Sequence, residues 1–271
     1  MCRRVLHIIR EEAEHGEKGD DAGEDNAGGD DTHKMKRFKS DVIEAVGELI
    51  DELETASVHI NQQSLEHVTP ASVVFTAGGS SEVESFLREA NKKRNFQCVV
   101  SESEPGGSGH KLAKTLADKG VETTVVSDAA TFAIMPRVHL VVLSAKGVFA
   151  DGTALCAAGH RAVAVAAKAH RVPVLVLAGT HELSPLGPED KEYAMDDLKS
   201  PCGIFAYGDN DGFGNGDDAA KVTELTIANP AFDKVPADLI SMFVTDAGGQ
   251  VPGFITSLLG EFYSPEDRRF D

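Results

Sequence analysis

From Pro70 onward the chain alternates short runs of β-branched and aliphatic residues with stretches of helical periodicity. Strands are predicted at Ser72–Thr76, Gln97–Ser101, Glu122–Ser127, Val138–Leu143, Val174–Ala178, Lys221–Ile227 and Ile240–Thr245. Helices are predicted between most of them, at Ser81–Lys93, Gly109–Lys119, Asp128–Met135, Ala157–His170 and Val251–Phe262. Continuous apolar strands have no polar face to turn to water. They need helices on both sides of a parallel sheet. The expected fold class is α/β, a Rossmann-like doubly wound, mostly parallel sheet over residues 70–271.

Residues 1–69 read differently. Val5, Leu6, Ile8 and Ile9 form a short apolar stripe. An acidic, Gly-rich run follows, with ten acids between Glu11 and Asp31 against Lys18 as the only Lys or Arg. Such a run has too little apolar surface to offset the entropy of ordering, so an insert disordered over about 13–33 is expected. From Lys34 to His67 the pattern is helical, with Val42, Ile43, Val46, Leu49, Ile50, Leu53, Val58 and Ile60 recurring mostly at three- and four-residue spacing. A second irregular stretch, Gly179 to Ala219, is long for a compact domain and is expected to be an excursion from the fold.

The net charge of −18 excludes a basic footprint for nucleic acid or an anionic membrane. No apolar run reaches the ~18 residues of a spanning helix, and the opening MCRRVLHIIREE turns charged too soon for a signal peptide. Cys2, Cys98, Cys156 and Cys202 form no CxxC pair and are expected to be reduced thiols of a cytoplasmic protein, with no metal site. The acidic loop Gly208–Asp218 lacks the spacing of a calcium loop. His181 and Glu182 have no third metal ligand nearby in sequence, and Lys92, Lys93 and Arg94 read as a solvated helix end.

In an open parallel sheet ligands bind beyond the carboxyl ends of the strands, so those loops carry the functional reading. In the first loop Ala77, Gly78, Gly79, Ser80 and Ser81 lead into a helix. This is either a phosphate cradle or a tight turn with Ser80 or Ser81 as N-cap. The second, SESEPGGSGHKLAK, offers Glu104 where a phosphate site wants Arg or Lys, with Ser108 able to cap the next helix. The third carries Asp128, a candidate catalytic acid or an N-cap. The fourth joins Ser144, Ala145 and Lys146 to Asp151, Gly152 and Thr153.

Taken together these loops resemble a superfamily. It joins the regulatory subunits of initiation factor 2B to methylthioribose-1-phosphate and ribose-1,5-bisphosphate isomerases. The resemblance rests on the loop spacing, the E-x-x-P-x-x-x-G of the second loop and the DGT of the fourth. GVETTVVSDAA, LAGTHELSP, AFDKVPADLISMF, GEFYSPED and CRRVLHIIREE are similar to the beta-type branch of the regulatory family. It covers nearly the whole chain apart from the acidic run and Asp209–Asp218.

The isomerases carry a catalytic Cys where this chain has Gly78, a phosphate-binding Arg where it has Glu104, and a catalytic Asp where it has Lys146. Their N-G-D becomes Asp151-Gly152-Thr153, and their N-K becomes Cys156-Ala157. The resemblance therefore implies a vestigial pocket of Gly78, Gly79, Ser80, Glu104, Asp128, Lys146, Asp151 and Thr153. No catalytic, cofactor-binding or metal-binding residue is expected. It implies a non-catalytic regulatory subunit of the guanine nucleotide exchange factor for initiation factor 2. The direct partner would be a delta-type chain, in a complex with alpha, gamma and epsilon types. That complex binds initiation factor 2, chiefly its alpha subunit, and responds to its phosphorylation. Subunit contacts are expected near residues 221–262. A sugar-phosphate isomerase, or a pocket that binds a phosphorylated metabolite as a signal, stays open as an alternative.

Overall fold

The computed structural model describes residues 30–187, 197–204 and 227–263, with positions 5, 9 and 10 near the start. The expected strand at Lys221–Ile227, all but its last residue, lies outside these, as do the loop Gly208–Asp218 and most of the acidic run.

The chain begins with α1 (Asp30–Gln62) and α2 (Ser64–His67). The sheet core then follows as β1 (Val73–Thr76), α3 (Ser81–Asn91), β2 (Gln97–Ser101), α4 (Ser108–Asp118) and β3 (Glu122–Val126). It continues with α5 (Thr131–Ile134), β4 (Leu140–Val148), β5 (Ala154–Ala157), α6 (His160–Ala169) and β6 (Val174–Leu177). It closes with β7 (Phe232–Val235), β8 (Met242–Thr245), β9 (Gly248–Gln250) and α7 (Ile255–Phe262).

The main sheet runs β3-β2-β1-β4-β6-β8-β9, parallel throughout except where β9 turns back on β8. Successive strand residues face opposite layers. Val74, Val100 and Val142 meet Phe86 and Leu87 of α3 and Leu112 and Leu116 of α4. Phe75, Val141 and Leu143 meet Met135, Val163, Ala167, Ile255 and Leu259 on the other side. This is the doubly wound arrangement expected from the apolar runs. β5 and β7 form an antiparallel side sheet on the end of β4. Periodicity missed these two and β9, because Ala-Leu-Cys-Ala, Phe-Asp-Lys-Val and Gly-Gly-Gln carry little apolar signal. They are strands because a neighbouring edge pairs with them.

Two expectations near the N-terminus change. The helix starts at Asp30, inside the span expected to be disordered. Of the apolar face of α1, Leu49, Ala56 and Ile60 are buried, while Met35, Ile43, Ile50 and Val58 remain exposed. Arg94 is more than a solvated helix end, since its guanidinium donates to the Val68 carbonyl at 2.6 Å. Among the described residues no helix is long and apolar enough to cross a membrane. Cys98, Cys156 and Cys202 are free thiols; burial pushes Cys98 up to about 12 and raises Cys156 as well.

The start of α4 fits the end of β2 through one glycine. A Cβ on Gly109 would lie 1.8 Å from the Ser101 carbonyl oxygen, a backbone atom that cannot yield. Gly109→Ala should cost on the order of 3 kcal/mol and leave little soluble protein, measured by thermal denaturation and yield; an unchanged melting temperature would contradict this packing.

Candidate functional site

The winding of the sheet reverses between β1 and β4, so the crevice where ligands bind in such folds lies beyond Thr76 and Ser144. The structure brings Gly78, Gly79, Ser80, Lys146, Asp128 and the Glu104 loop to this end of the sheet. Each is already engaged by its own chain.

The first loop is closed from two sides. The Gly78 amide, at φ +82°, donates to Ser103 Oγ at 2.7 Å. Gly79 packs on Ser108, where an added Cβ would come within 3.0 Å. Ser80 is the N-cap of α3, accepting from Val83 N at 3.5 Å while its hydroxyl donates to the Glu82 carboxylate. The plain-turn reading holds for Ser80. The amide an anion would need is occupied at Gly78.

Asp128 is neither a free acid nor the cap of its own helix. Its carboxylate accepts from Ser101 Oγ, from Ser103 N at 3.0 Å and from Glu104 N at 2.8 Å. It clamps the second loop. Ser108 is likewise not the cap of α4; Gly107, in the left-handed region at φ +58°, occupies that position. Glu104 is exposed and groups with Glu102 and His110, their ligating atoms all within 4.8 Å of one another.

Lys146 sits where the β4–β5 register shifts, a bulge that re-aims its side chain. Its ammonium lies 3.7 Å from Glu82 Oε1. Both groups are partly exposed, so the pair is worth under ~1 kcal/mol in stability. Its consequence is electrostatic. The cation at this strand end is answered within the chain. Glu182 lies nearby, within the fields of Lys146, Glu82 and Asp246. Burial pushes Glu182 up to about 7, against a hydrogen bond from Gly179 N and the field of Lys146. Asp246 accepts from Thr180 N and Thr180 Oγ1. A phosphate beside a carboxylate here meets repulsion of ~4 kcal/mol at close range.

Asp151 and Thr153 stand apart from this cluster. Asp151 accepts from Thr153 N and Thr153 Oγ1, both at 2.8 Å, closing their own turn. Gly152, at φ +81°, lies against Pro252, where an added Cβ would be 2.8 Å from the carbonyl oxygen.

His160, Glu82, Glu182, Ser103 and Asp246 were not singled out from the sequence as parts of this site. Glu82 and Lys146 are far apart along the chain, and no spacing signals their contact. His160 opens α6 and is fully buried, and neither ring nitrogen makes a hydrogen bond of ordinary geometry. Burial brings its pKa down to about 4, with the Ala77 backbone and Asp233 acting the other way more weakly. A neutral imidazole therefore fills the space beside Gly78. A Cβ on Gly78 would lie 3.0 Å from His160 Nε2.

Fold and site together define a doubly wound α/β protein whose strand-end crevice is engaged by side chains of its own loops. The model of the initiation factor 2 subunit family matches residues 19–252. The chain belongs to that family. It is 35% identical over 248 residues to translation initiation factor eIF2B subunit beta of Dictyostelium discoideum, a match covering 92% of this chain and 61% of the relative. It thus spans less than two thirds of that relative's length. It is 27% identical to ribose 1,5-bisphosphate isomerase of Archaeoglobus fulgidus, over 80% of this chain and 66% of that one. Among solved structures, eIF2B beta from Chaetomium thermophilum superposes with a TM-score of 0.73 at 25% identity, covering 99% of this chain and 73% of that one. A chain of the tetrameric eIF2B-beta2-delta2 complex from C. thermophilum shares the fold, with a TM-score of 0.69 at 24% identity over 96% of this chain and 72% of that one.

Two outcomes test the closed site. Gly78→Cys should lose about 2–4 kcal/mol, from a side chain in the left-handed region and the contact with His160, and should gain no isomerase turnover. Glu182 binds its proton more tightly in the folded than in the unfolded state. Its contribution to stability is full below about pH 4.5 and is lost as pH rises through about 7. Partial exposure screens the effect, so Glu182→Gln should stabilise the protein by about 1 kcal/mol at pH 8 and leave it nearly unchanged at pH 4.5, read from urea unfolding at both pH values.

Proposed function

We propose that this chain is a beta-type regulatory subunit of the guanine nucleotide exchange factor for initiation factor 2. It performs no chemistry of its own and works in the cytoplasm. The observation that carries this reading is the Lys146–Glu82 pair. The strand-end position that is an acid in the related isomerases is here a cation, already neutralised by its own chain. Moving a proton between sugar carbons needs a free, positioned acid or base. Gly78, Glu104 and Lys146 supply none, and Gly78, Ser80, Asp128, Asp151 and Thr153 are engaged in holding their own turns and loops. The 35% identity to an eIF2B beta subunit favours the same role.

A subunit of this kind contributes surfaces. Val251 and Phe254 are exposed in the segment before α7, within the region expected to meet other subunits. Met35, Ile43, Ile50 and Val58 add an apolar stripe along α1. The solved beta2-delta2 complex supports a delta-type chain as the direct partner. Alpha, gamma and epsilon types complete the assembly, and initiation factor 2, chiefly its alpha subunit, is its target.

Co-expression with the delta-type chain of the same organism should give a stable complex, and Phe254→Asp should weaken it by tenfold or so. Two well-folded chains that fail to associate would sink the proposal. The isomerase reading predicts turnover of ribose 1,5-bisphosphate; the proposed function predicts none above buffer.

A further inference from the structure

The protein is strongly acidic, with a net charge of −18, yet one of its faces is not. Helix α6 contains no acid at all. Its exposed residues are Arg161, Ala162, Val165, Lys168 and Ala169, and exposed Arg171 follows in the turn to β6. Arg161, Val165 and Lys168 are four and three residues apart, so they share one side of the helix. Beside them Phe132 of α5 is 57% exposed, its ring edge-on to His170 at 4.7 Å.

A groove of about 290 Å³ runs along this face, lined by Lys168, Arg171, Pro173, Asp238, Leu239 and Ile240 among others. It opens at the amino ends of β6 and β8, the opposite edge of the sheet from Lys146 and Glu82. Asp238 shows how the face receives a carboxylate. Lys168 pairs with it, and the Lys168 hydrogen bond and, more weakly, the nearby Arg161 hold its pKa below the usual range. At the groove Asp238 thus stands beside Lys168 and Arg171, within the field of Arg161.

Arg171 supplies an independent observation. It adopts φ +59°, just past the end of α6, where its amide donates to the Lys168 carbonyl. Glycine takes this conformation freely, whereas an L side chain there is strained. The turn gains nothing from the guanidinium, which makes no ion pair among the described residues. The side chain projects beside the groove at a position where an unstrained residue would serve the backbone better.

We propose that the α6 face and this groove dock a short acidic segment of a partner protein. Its carboxylates pair with Arg171 and Arg161, whose planar guanidinium groups can hold them through two parallel hydrogen bonds. An apolar side chain of the segment covers Val165 and the rim of Phe132. Charge complementarity selects this occupant. The acidity of the rest of the chain disfavours a broadly acidic surface, so the segment is short and the attraction local.

Fluorescence anisotropy of a labelled Glu-Glu-Leu-Glu-Glu peptide with the full chain tests this. Saturable binding is expected, weakening about tenfold between about 50 and about 300 mM salt, with a Gln-Gln-Leu-Gln-Gln peptide at least about tenfold weaker. Arg171→Gly removes the cation while relieving the backbone. It should weaken binding about fivefold or more without lowering the melting temperature, and Arg161→Glu should weaken it as well. Unchanged affinity in both variants, or no saturable binding at millimolar chain concentration, overturns the proposal. So does about tenfold tighter binding after deletion of residues 11–29, which would assign the groove to the chain's own acidic run.

Discussion

β1 and β4 lie side by side at the middle of the sheet, and the winding of the chain reverses across their shared edge. Connections on one side of this edge lay α3 and α4 on one face. The β3-to-β4 crossover, the connection to β6 and the segment after β9 lay α5, α6 and α7 on the opposite face. The loops that leave β1 and β4 therefore diverge, and a crevice forms between them whatever side chains the loops carry. The parallel pairing makes a site obligatory. The residues placed there decide whether it can act on anything.

In this chain those residues are turned toward one another. Gly78 gives its amide to Ser103, Asp128 gathers the second loop, and Lys146 faces Glu82. His160 takes the volume beside Gly78, so the missing side chain and the buried imidazole are two halves of one packing solution. Opening this crevice to a ligand would require several coordinated changes, because the neighbours of each position are packed for what is there now.

The inner strands β1, β2, β4 and β6 were legible because burial on both faces leaves a continuous apolar signature, while the exposed edge strand β3 was legible through its β-branched run Thr123–Val126. β5, β7 and β9 were not legible, since their pairing comes from a neighbouring edge and their own side chains barely mark it. The same division runs through the site. Gly78, Glu104 and Lys146 stood out through the resemblance to the isomerases, whose functional residues they replace. The contacts that fix their meaning, with His160 and Glu82, join residues distant in sequence. Asp128 was visible as a strand-end acid. Its role as a clamp depends on the path of a loop that begins at Glu102.

The two ends of the sheet use charge in opposite ways. At the carboxyl end a cation meets carboxylates of its own chain, so an arriving molecule finds little unmet demand there. At the amino end Lys168 and Arg171 flank Asp238 near exposed Phe132, and Val165 and Arg161 continue the same helix face away from the groove. Binding free energy between chains comes from groups that gain a partner on association, and groups already paired within one chain have little left to gain. Lys146 is paired with Glu82 at the carboxyl end, whereas Arg171 at the amino end makes no ion pair among the described residues and keeps its full capacity to gain a partner.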